Sequence, residues 1–181
     1  MDKVNSFYNR EELESLGFNA FGKNVLISKY ARFYNPELIS LGDNVRIDDF
    51  CILSGNIIIG DFVHLSAYCA FYGKNSIEIK NYCGTSPRTT IYSQTDDFSG
   101  NFLIGPMHET SLTNVTGGKV VLNEFVQLGA NTVVFPNVVI GEGSVTGAFS
   151  LVTKSIEGWG IYAGIPAVRI KDRSKKLLEL I

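Results

Sequence analysis

The sequence predicts an all-β protein, a parallel β-helix whose repeating unit is six residues long. Two observations predict it. Apolar residues recur at every sixth position, and a small or β-branched residue follows many of them after four positions. Neither the two-residue period of a strand nor the 3.6-residue period of an α-helix produces this spacing. The series is Leu41, Ile47, Leu53, Ile59, Leu65 and Phe71, then Leu122, Leu128, Val134, Ile140 and Val152, with Thr146 as its one polar member.

A six-residue repeat has a simple physical basis. One short strand and one turn fill each unit, three units close a triangular coil of about eighteen residues, and stacked coils pair their strands in parallel. The two inward positions of each unit then fill a narrow interior. Cys51, Cys69 and Cys83 all occupy the second inward position. We therefore expect them to be small buried hydrophobic residues rather than nucleophiles.

This register divides the chain into about six coils, grouped in two blocks. The coils fill residues 21–96 and 122–157, and the residues between them, 97–121, break the pattern and form an insertion. Repeated units of this kind bury a continuous core only when they stack, so we interpret residues 1–181 as a single domain. The coils begin at Phe21, Leu41, Ile59, Ile79, Leu122 and Ile140.

Both ends of the chain carry the pattern of a cap. The N-terminal cap, 1–20, contains a predicted helix at 9–16, in which Asn9 is the N-cap of a capping box. The C-terminal tail, 158–181, leads to a second predicted helix at about 172–181. Caps of this kind would cover the strand edges that a stack of coils leaves open.

Composition and charge exclude several classes of protein. The formal net charge of −2 and the pI of about 5.7 do not suit a nucleic-acid partner, which would require a basic surface. No apolar run approaches the roughly 18 residues of a membrane span, and the first residues lack the apolar core of a signal peptide. Three cysteines cannot all pair with one another, so we expect reduced thiols and a cytoplasmic location.

The most specific motifs lie in the carboxyl-terminal half of the chain. They are VVLNEFVQLGANTVVFPNVVIGEGSVTGAFSLVTKSI at 120–156 and IYAGIPAVRIKDR at 161–173. They resemble the hexapeptide-repeat acyltransferases, and most of all the branch of galactoside, maltose and xenobiotic O-acetyltransferases. The resemblance extends over roughly 21–173. It implies a left-handed parallel β-helix, a homotrimer, and transfer of acetyl from acetyl-CoA to a hydroxyl of a sugar or glycan precursor, in grooves between neighbouring subunits.

The same resemblance assigns residues to an acetyl-CoA site. The cofactor would lie along the coils near the carboxyl end, where small residues admit an extended pantetheine chain and cations neutralise phosphate. The alternative is that the lysines and arginines form a solvated basic end of the chain. Facing pantetheine are Gly129 and Ala130; Ala148, Thr153 and Lys154 follow the cofactor outward; Pro166, Arg169, Lys171 and Arg173 flank its adenosine and phosphates.

Acetyl transfer to an alcohol requires a base, because an alcohol is scarcely ionised at neutral pH. In the O-acetyltransferase branch this base is a histidine early in the insertion, whereas here Asp97 occupies that place. The chain has two histidines, His108 within the insertion and His64 in the motif GDFVHLSA of the third coil. The candidate catalytic residues are therefore His108, slightly preferred, then His64 and Asp97.

Three further residues are candidates for the acceptor site. Ser66 aligns with an asparagine that helps to bind the acyl oxygen in the O-acetyltransferases. Asp96 could bind sugar hydroxyls or orient a histidine, although an aspartate shortly before Gly100 also suits a turn. Tyr92 belongs to an aromatic cluster that could stack on a sugar face.

Other functions on the same fold remain as alternatives. The motif GDFVH also looks like one in nucleotide-sugar N-acetyltransferases, so N-acetylation of a nucleotide-linked amino sugar is the main alternative. A non-enzymatic β-helix scaffold is an alternative of another class. The γ-class carbonic anhydrases use three histidines around each zinc, and two are too few, so we expect no metal.

Overall fold

The strands of this protein stack as a left-handed parallel β-helix with three faces. The computed structural model describes residues 6–181, so the first five residues of the predicted N-terminal cap lie outside the described part. The chain runs from face 1 to face 2 to face 3 in every coil and then returns to face 1 one coil higher. Each strand pairs in parallel with the strand of the next coil, as the six-residue register predicts.

Each face is a column of short strands. Face 1 contains β1 (Ala20–Phe21), β4 (Ile39–Leu41), the second halves of β6 (Ile52–Ile59) and β8 (Ala70–Ile79), β13 (Val120–Leu122) and β16 (Val139–Ile140). Face 2 contains β2 (Leu26–Ile27), β5 (Arg46–Ile47), β7 (His64–Leu65), β9 (Gly84–Thr85), β14 (Gln127–Leu128), β17 (Val145–Thr146) and β19 (Gly160–Ala163). Face 3 contains β3 (Arg32–Tyr34), the first halves of β6 and β8, β10 (Thr90–Tyr92), β15 (Val133–Val134) and β18 (Leu151–Val152).

The stack has about seven turns, one more than the six coils expected from the sequence. The difference arises in the tail, because Ile161 and Tyr162 of β19 pair in parallel with β17 and so continue face 2. The interior is filled as predicted by the inward apolar series, including Phe71, which has no exposed surface. The three cysteines are buried and free.

Aromatic side chains stack at the corners of the coils. Phe62, Tyr82 and Phe125 lie one above another between faces 1 and 2, with ring centroids 5.0 Å apart in each pair and nearly parallel planes. All three have positive φ, a conformation that bulky residues rarely adopt. The vertical spacing of parallel strands is about 4.8 Å, close to a stacking distance, so ring stacking offsets the backbone strain. Trp159 ends this column, over the glycine at Gly143.

The N-terminal cap agrees with the prediction, and the C-terminal cap does not. Helix α1 (Arg10–Ser15) begins after Asn9, whose side chain accepts from the Glu12 amide while Glu12 accepts from the Asn9 amide. The segment expected to be helical, about 172–181, contains a short 3₁₀ helix at Lys176–Leu180, and an unpredicted strand, β20 (Val168–Asp172), precedes it. β20 pairs antiparallel with β19 and satisfies the outer edge of face 2, which a helix could not do.

The insertion begins and ends slightly earlier than the sequence indicates. After β10 the chain leaves the stack, forms β11 (Gln94–Asp96) and β12 (Val115–Gly117) as an antiparallel pair, and re-enters at Val120. A 3₁₀ helix at Thr110–Leu112 lies between these strands, and another at Pro36–Leu38 precedes β4. Within residues 6–181, no helix is long and apolar enough to cross a membrane.

Candidate functional site

A polar groove runs along the outside of face 2. It has a volume of about 330 Å³ and is lined by His64, Ser66, Ser86 and Gln127, among others. The groove exists because Gly84 stands between His64 and Gln127 in the column of outward residues. A Cβ at Gly84 would lie 2.3 Å from Oε1 of Gln127. The side chain of Gln127 therefore occupies part of the space above Gly84, and the two residues line the groove beside the imidazole.

His64 is held by a charged pair on the coil below. Its Nε2 lies 2.8 Å from Oδ2 of Asp48, and Nε of Arg46 donates to Oδ1 of Asp48 at 2.7 Å. Partial burial opposes ionisation of this carboxyl, but the hydrogen bonds from Arg46 and His64 outweigh it and hold the pKa of Asp48 below its ordinary value. The contact between Asp48 and His64 was not predicted from the sequence. The parallel register that places Arg46 beside His64 was the signal that could have found it.

A larger cavity lies beneath the insertion. Its volume is about 980 Å³, and Tyr92, Asp96 and His108 line it together with Tyr72 and Lys74. The rings of Tyr72 and Tyr92 stack with centroids 5.3 Å apart. Three of the residues singled out in the sequence, two from the insertion and one from the stack, therefore meet in one cavity that has an aromatic wall and a cation.

The structure separates the candidate residues into two sites rather than one. His64 and Ser66 line the groove of face 2, and Tyr92, Asp96 and His108 line the cavity beneath the insertion. The two sites share no lining residue. Ser86, which the sequence analysis did not single out, belongs to the groove and lies one coil above Ser66, whose amide donates to the Thr85 carbonyl.

Asp97 lines neither site. Its Oδ1 accepts from the Ser99 amide at 2.7 Å, and its Oδ2 accepts from Nδ2 of Asn114 at 2.8 Å. These hydrogen bonds, those from Ser99 first, hold the pKa of Asp97 below its ordinary value. The carboxylate thus joins the two ends of the insertion.

The residues expected at the acetyl-CoA site have two kinds of role. A Cβ at Gly129 would lie 2.6 Å from the backbone of Gly147, so coil packing alone requires this glycine. Ala148, on the next coil, is exposed. Ala130, half-buried, directs its carbonyl to the Phe149 amide.

The cationic residues expected at the acetyl-CoA site also have two kinds of role, since two are bound to the protein and two are exposed. Arg173 donates from Nη1 to the carbonyls of Phe125 and Gly143, and burial lowers its pKa, so it fastens the tail to the stack. Arg169 is engaged with Asp172 and Tyr162, which raise its pKa. Lys154 and Lys171 are exposed, and no ion pair to either occurs within residues 6–181.

The outer surface near the carboxyl end fits an acyl-CoA donor. Small side chains leave the coil face open, Thr153 and Pro166 are exposed, and the exposed Lys154 and Lys171 supply positive charge that favours phosphate binding. Among the described residues, no group of three or more His, Cys, Asp or Glu side chains could hold a metal ion.

A hexapeptide β-helix with a surface groove, and with a cavity beneath its insertion, defines an acyltransferase of the left-handed β-helix class. The chain belongs to the hexapeptide-repeat acyltransferase family. No family model matches it. It is 41% identical to the dTDP-4-amino-4,6-dideoxy-D-glucose acyltransferase of Escherichia coli, over 93% of this chain and 90% of that protein.

Solved structures agree. AntD, an N-acyltransferase from Bacillus cereus in complex with dTDP-4-amino-4,6-dideoxyglucose and coenzyme A, is 51% identical, with a TM-score of 0.96 over 98% of this chain and 96% of that one. A maltose O-acetyltransferase from Clostridium difficile is 25% identical, with a TM-score of 0.59 over 92% of this chain and 75% of that one. The chain is an acyltransferase, and the findings support the N-acyltransferase alternative better than O-acetylation.

Proposed function

We propose that this protein transfers an acyl group from CoA to the amine of a nucleotide-linked amino sugar, such as a dTDP-linked 4-amino-4,6-dideoxyhexose. The similarity to AntD over almost the whole chain carries this proposal, because AntD was crystallised with such a sugar and with CoA. The chemistry agrees with it. A neutral amine is a better nucleophile than an alcohol and needs a weaker base, which suits a chain with Asp97 at the place of the O-acetyltransferase histidine.

The spacing of two residues assigns one to the acceptor amine and one to the acyl group. The AntD structures include variants of one serine and of one aspartate ten positions further along that chain. In this sequence Ser86 and Asp96 are the only serine and aspartate with that separation. We assign Asp96 to the amine, because a carboxylate accepts its hydrogen bonds, and Ser86 to the acyl oxygen, because a hydroxyl donates. Ser66, one coil below, extends the same groove.

The cavity beneath the insertion suits the rest of the acceptor. Tyr72 and Tyr92 offer an aromatic wall for a nucleobase or the sugar, and Lys74 offers a positive charge for the diphosphate. His108 lies on the opposite side, in the insertion, where it can contact the diphosphate as well. Acyl-CoA then occupies the coil surface along Gly129, Ala130 and Ala148, with Thr153, Lys154, Pro166 and Lys171 toward its adenosine end.

A site that uses both Ser86 and Asp96 requires two copies of the chain. Ser86 precedes β10 and Asp96 follows it, and within one chain they line two different sites, the groove of face 2 and the cavity beneath the insertion. The insertion also exposes a set of large apolar side chains that a neighbouring subunit would cover: Phe98, Phe102, Leu103, Ile104, Met107 and Leu112. We therefore propose a homotrimer in which the groove of one subunit faces the cavity of the next.

Sedimentation equilibrium tests the assembly. The expected species has about three times the 19.9 kDa mass of the chain, and replacement of Met107 by Lys should shift it toward the monomer, since Met107 is 92% exposed in the isolated chain. Replacement of Leu180 by Lys is the control, because Leu180 is 84% exposed at the far end of the tail. A wild-type chain that stays monomeric at micromolar concentration would contradict the shared site.

The proposed place of the reaction is the cytoplasm. The chain has three free thiols, at Cys51, Cys69 and Cys83. Free thiols are typical of a reducing compartment, and acyl-CoA donors are supplied there.

Parallel assays with paired acceptors test the function. The purified chain is incubated with acetyl-CoA or 3-hydroxybutyryl-CoA and with dTDP-4-amino-4,6-dideoxyglucose, and with the analogue that carries a hydroxyl in place of the amine. Release of free CoA and a gain of one acyl mass are expected for the amine alone. Acylation of the hydroxyl analogue alone would favour O-acetylation. Absence of CoA binding by calorimetry would favour the non-enzymatic scaffold.

A further inference from the structure

The cluster of Arg46, Asp48 and His64 has the geometry of an oriented imidazole. The side chain of His64 is 49% exposed on face 2, whereas that of Asp48 is 20% exposed. One carboxylate oxygen contacts Nε2 of His64 and the other accepts from Arg46. Within the described residues, no hydrogen bond reaches Nδ1 of His64.

The ionised carboxylate determines which ring nitrogen carries the proton. Hydrogen bonding keeps the pKa of Asp48 below its ordinary value, so Asp48 is a carboxylate at neutral pH and can only accept. Nε2 of a neutral His64 must therefore be the donor, and Nδ1 keeps an unused lone pair. A base held in one tautomer by a third group is the arrangement that nucleophilic acyl transfer uses.

The His64 side chain faces the groove and is half exposed there. Gly84, the neighbour of His64 on the next coil, has no side chain to cover it. Ser86 lines the same groove. The titratable groups around the ring are Arg46 and Asp48 on the coil below, with Tyr82 and Cys83 on the coil above. Burial raises the pKa of Cys83 to about 12, so its thiol is neutral and does not compete for the proton.

We propose that His64 is the proton-transferring catalytic residue and that Asp48 is its positioning residue; this rests on the proposed N-acyl transfer. The amine nitrogen forms a bond to the thioester carbonyl carbon, and one N–H proton passes to Nδ1 of His64. The C–S bond breaks, and His64 returns the proton to the CoA sulfur. The products are an amide and a free thiol, and the imidazole ends in its initial state.

Two substitutions test the pair. His64→Gln keeps a hydrogen bond to Asp48 but carries no transferable proton, and it should lower kcat about 10²–10³-fold with KM for acyl-CoA and acceptor changed less than about 3-fold. Asp48→Asn should lower kcat about 10-fold, and the double variant should be no slower than His64→Gln alone, because the two residues act as one unit. Glu11→Gln, an exposed acid on α1, is the matched control and should keep wild-type kcat.

A second measurement does not depend on turnover. ¹⁵N shifts of the His64 ring should report the Nε2–H tautomer in the wild type and a mixture of tautomers in Asp48→Ala, in protein without ligands. Unchanged kcat in His64→Gln, loss of turnover in His108→Gln alone, or a wild-type Nδ1–H tautomer would each overturn the proposal. If the wild type acylates no amino sugar, the proposed function is contradicted. The NMR result would still show whether Asp48 fixes the tautomer of His64.

Discussion

Large apolar side chains are buried in the stack of coils and exposed in the insertion. In the stack, Phe71 is completely buried, and its strand, β8, is paired on both sides. In the insertion, residues 93–119, Phe98 is 77% exposed. The backbone of the insertion is held by the short pairing of β11 with β12 and by a few side-chain contacts, such as the hydrogen bond between Asp97 and Asn114.

This contrast separates two sources of structure. The stack buries its own apolar surface and should be stable without help. The insertion presents apolar surface outward, and we expect its geometry, including the position of Asp96, to depend on a neighbouring chain. We therefore expect half of the proposed site to be rigid within one subunit and the geometry of the other half to depend on assembly.

Truncation of one phenylalanine in each region should give the largest difference. Phe71→Ala removes a fully buried ring and should lower the free energy of unfolding by about 3–5 kcal/mol. Phe98→Ala should change it by less than about 0.5 kcal/mol when the chain is kept monomeric by dilution. Urea denaturation followed by circular dichroism measures both. Equal losses would mean that the insertion is part of the cooperative core.

Substitution of the two neighbouring aspartates in the insertion should affect kcat differently. Asp96→Asn should lower kcat roughly 10²-fold, because the amide cannot accept as a carboxylate does. Asp97→Asn should keep kcat within about 10-fold, yet it should speed proteolysis of the insertion, since the Ser99 and Asn114 contacts weaken. Steady-state kinetics and limited trypsin digestion separate the two effects. The reverse ranking would return the catalytic role to Asp97.

A smaller effect is expected at the tail that closes the stack. Lys171→Ala should weaken CoA binding by about 1 kcal/mol, or about 5-fold, and should reduce the salt dependence of binding. Lys23→Ala, an exposed lysine at the opposite end of the stack, should bind CoA as the wild type does. Calorimetry at low and high salt makes the comparison. If the two variants bind CoA with equal affinity, the basic tail is solvated surface and does not contact CoA.

The smallest expected effect is the change with acidification in how much Asp48 contributes to the free energy of unfolding. The pKa of Asp48 is lowered in the folded chain, so its stabilisation is present above the ordinary carboxyl pKa and is lost as the pH falls through the lowered value. The stability gap between wild type and Asp48→Asn, below about 1 kcal/mol, should therefore shrink on acidification. Asp97→Asn should show no gap in global unfolding, because the insertion is not part of the core. Urea midpoints at several pH values decide this.

The stack could be predicted from the sequence because every coil requires apolar residues at its inward positions. The resulting six-residue period can be recognised without knowing which strands pair. The sequence predicted Asn9 as a cap for a similar reason, since the capping box is local. The contact of Asp48 with His64 was missed because it joins residues 16 positions apart in two coils. The C-terminal strand, β20, was missed because it forms by pairing with the open edge of β19, and the tail sequence by itself does not show that edge.

Trp159, the one tryptophan of the chain, has a consequence for spectroscopy. Its ring ends the aromatic column above Phe125, packs on Gly143 and lies 5.3 Å from Nζ of Lys175. Intrinsic fluorescence therefore reports the last turn of the stack and not its centre. In a structure where each turn contacts only its neighbours, an end turn can fray before the middle unfolds. Emission that shifts to the red ahead of the circular dichroism transition would time that fraying without any added label.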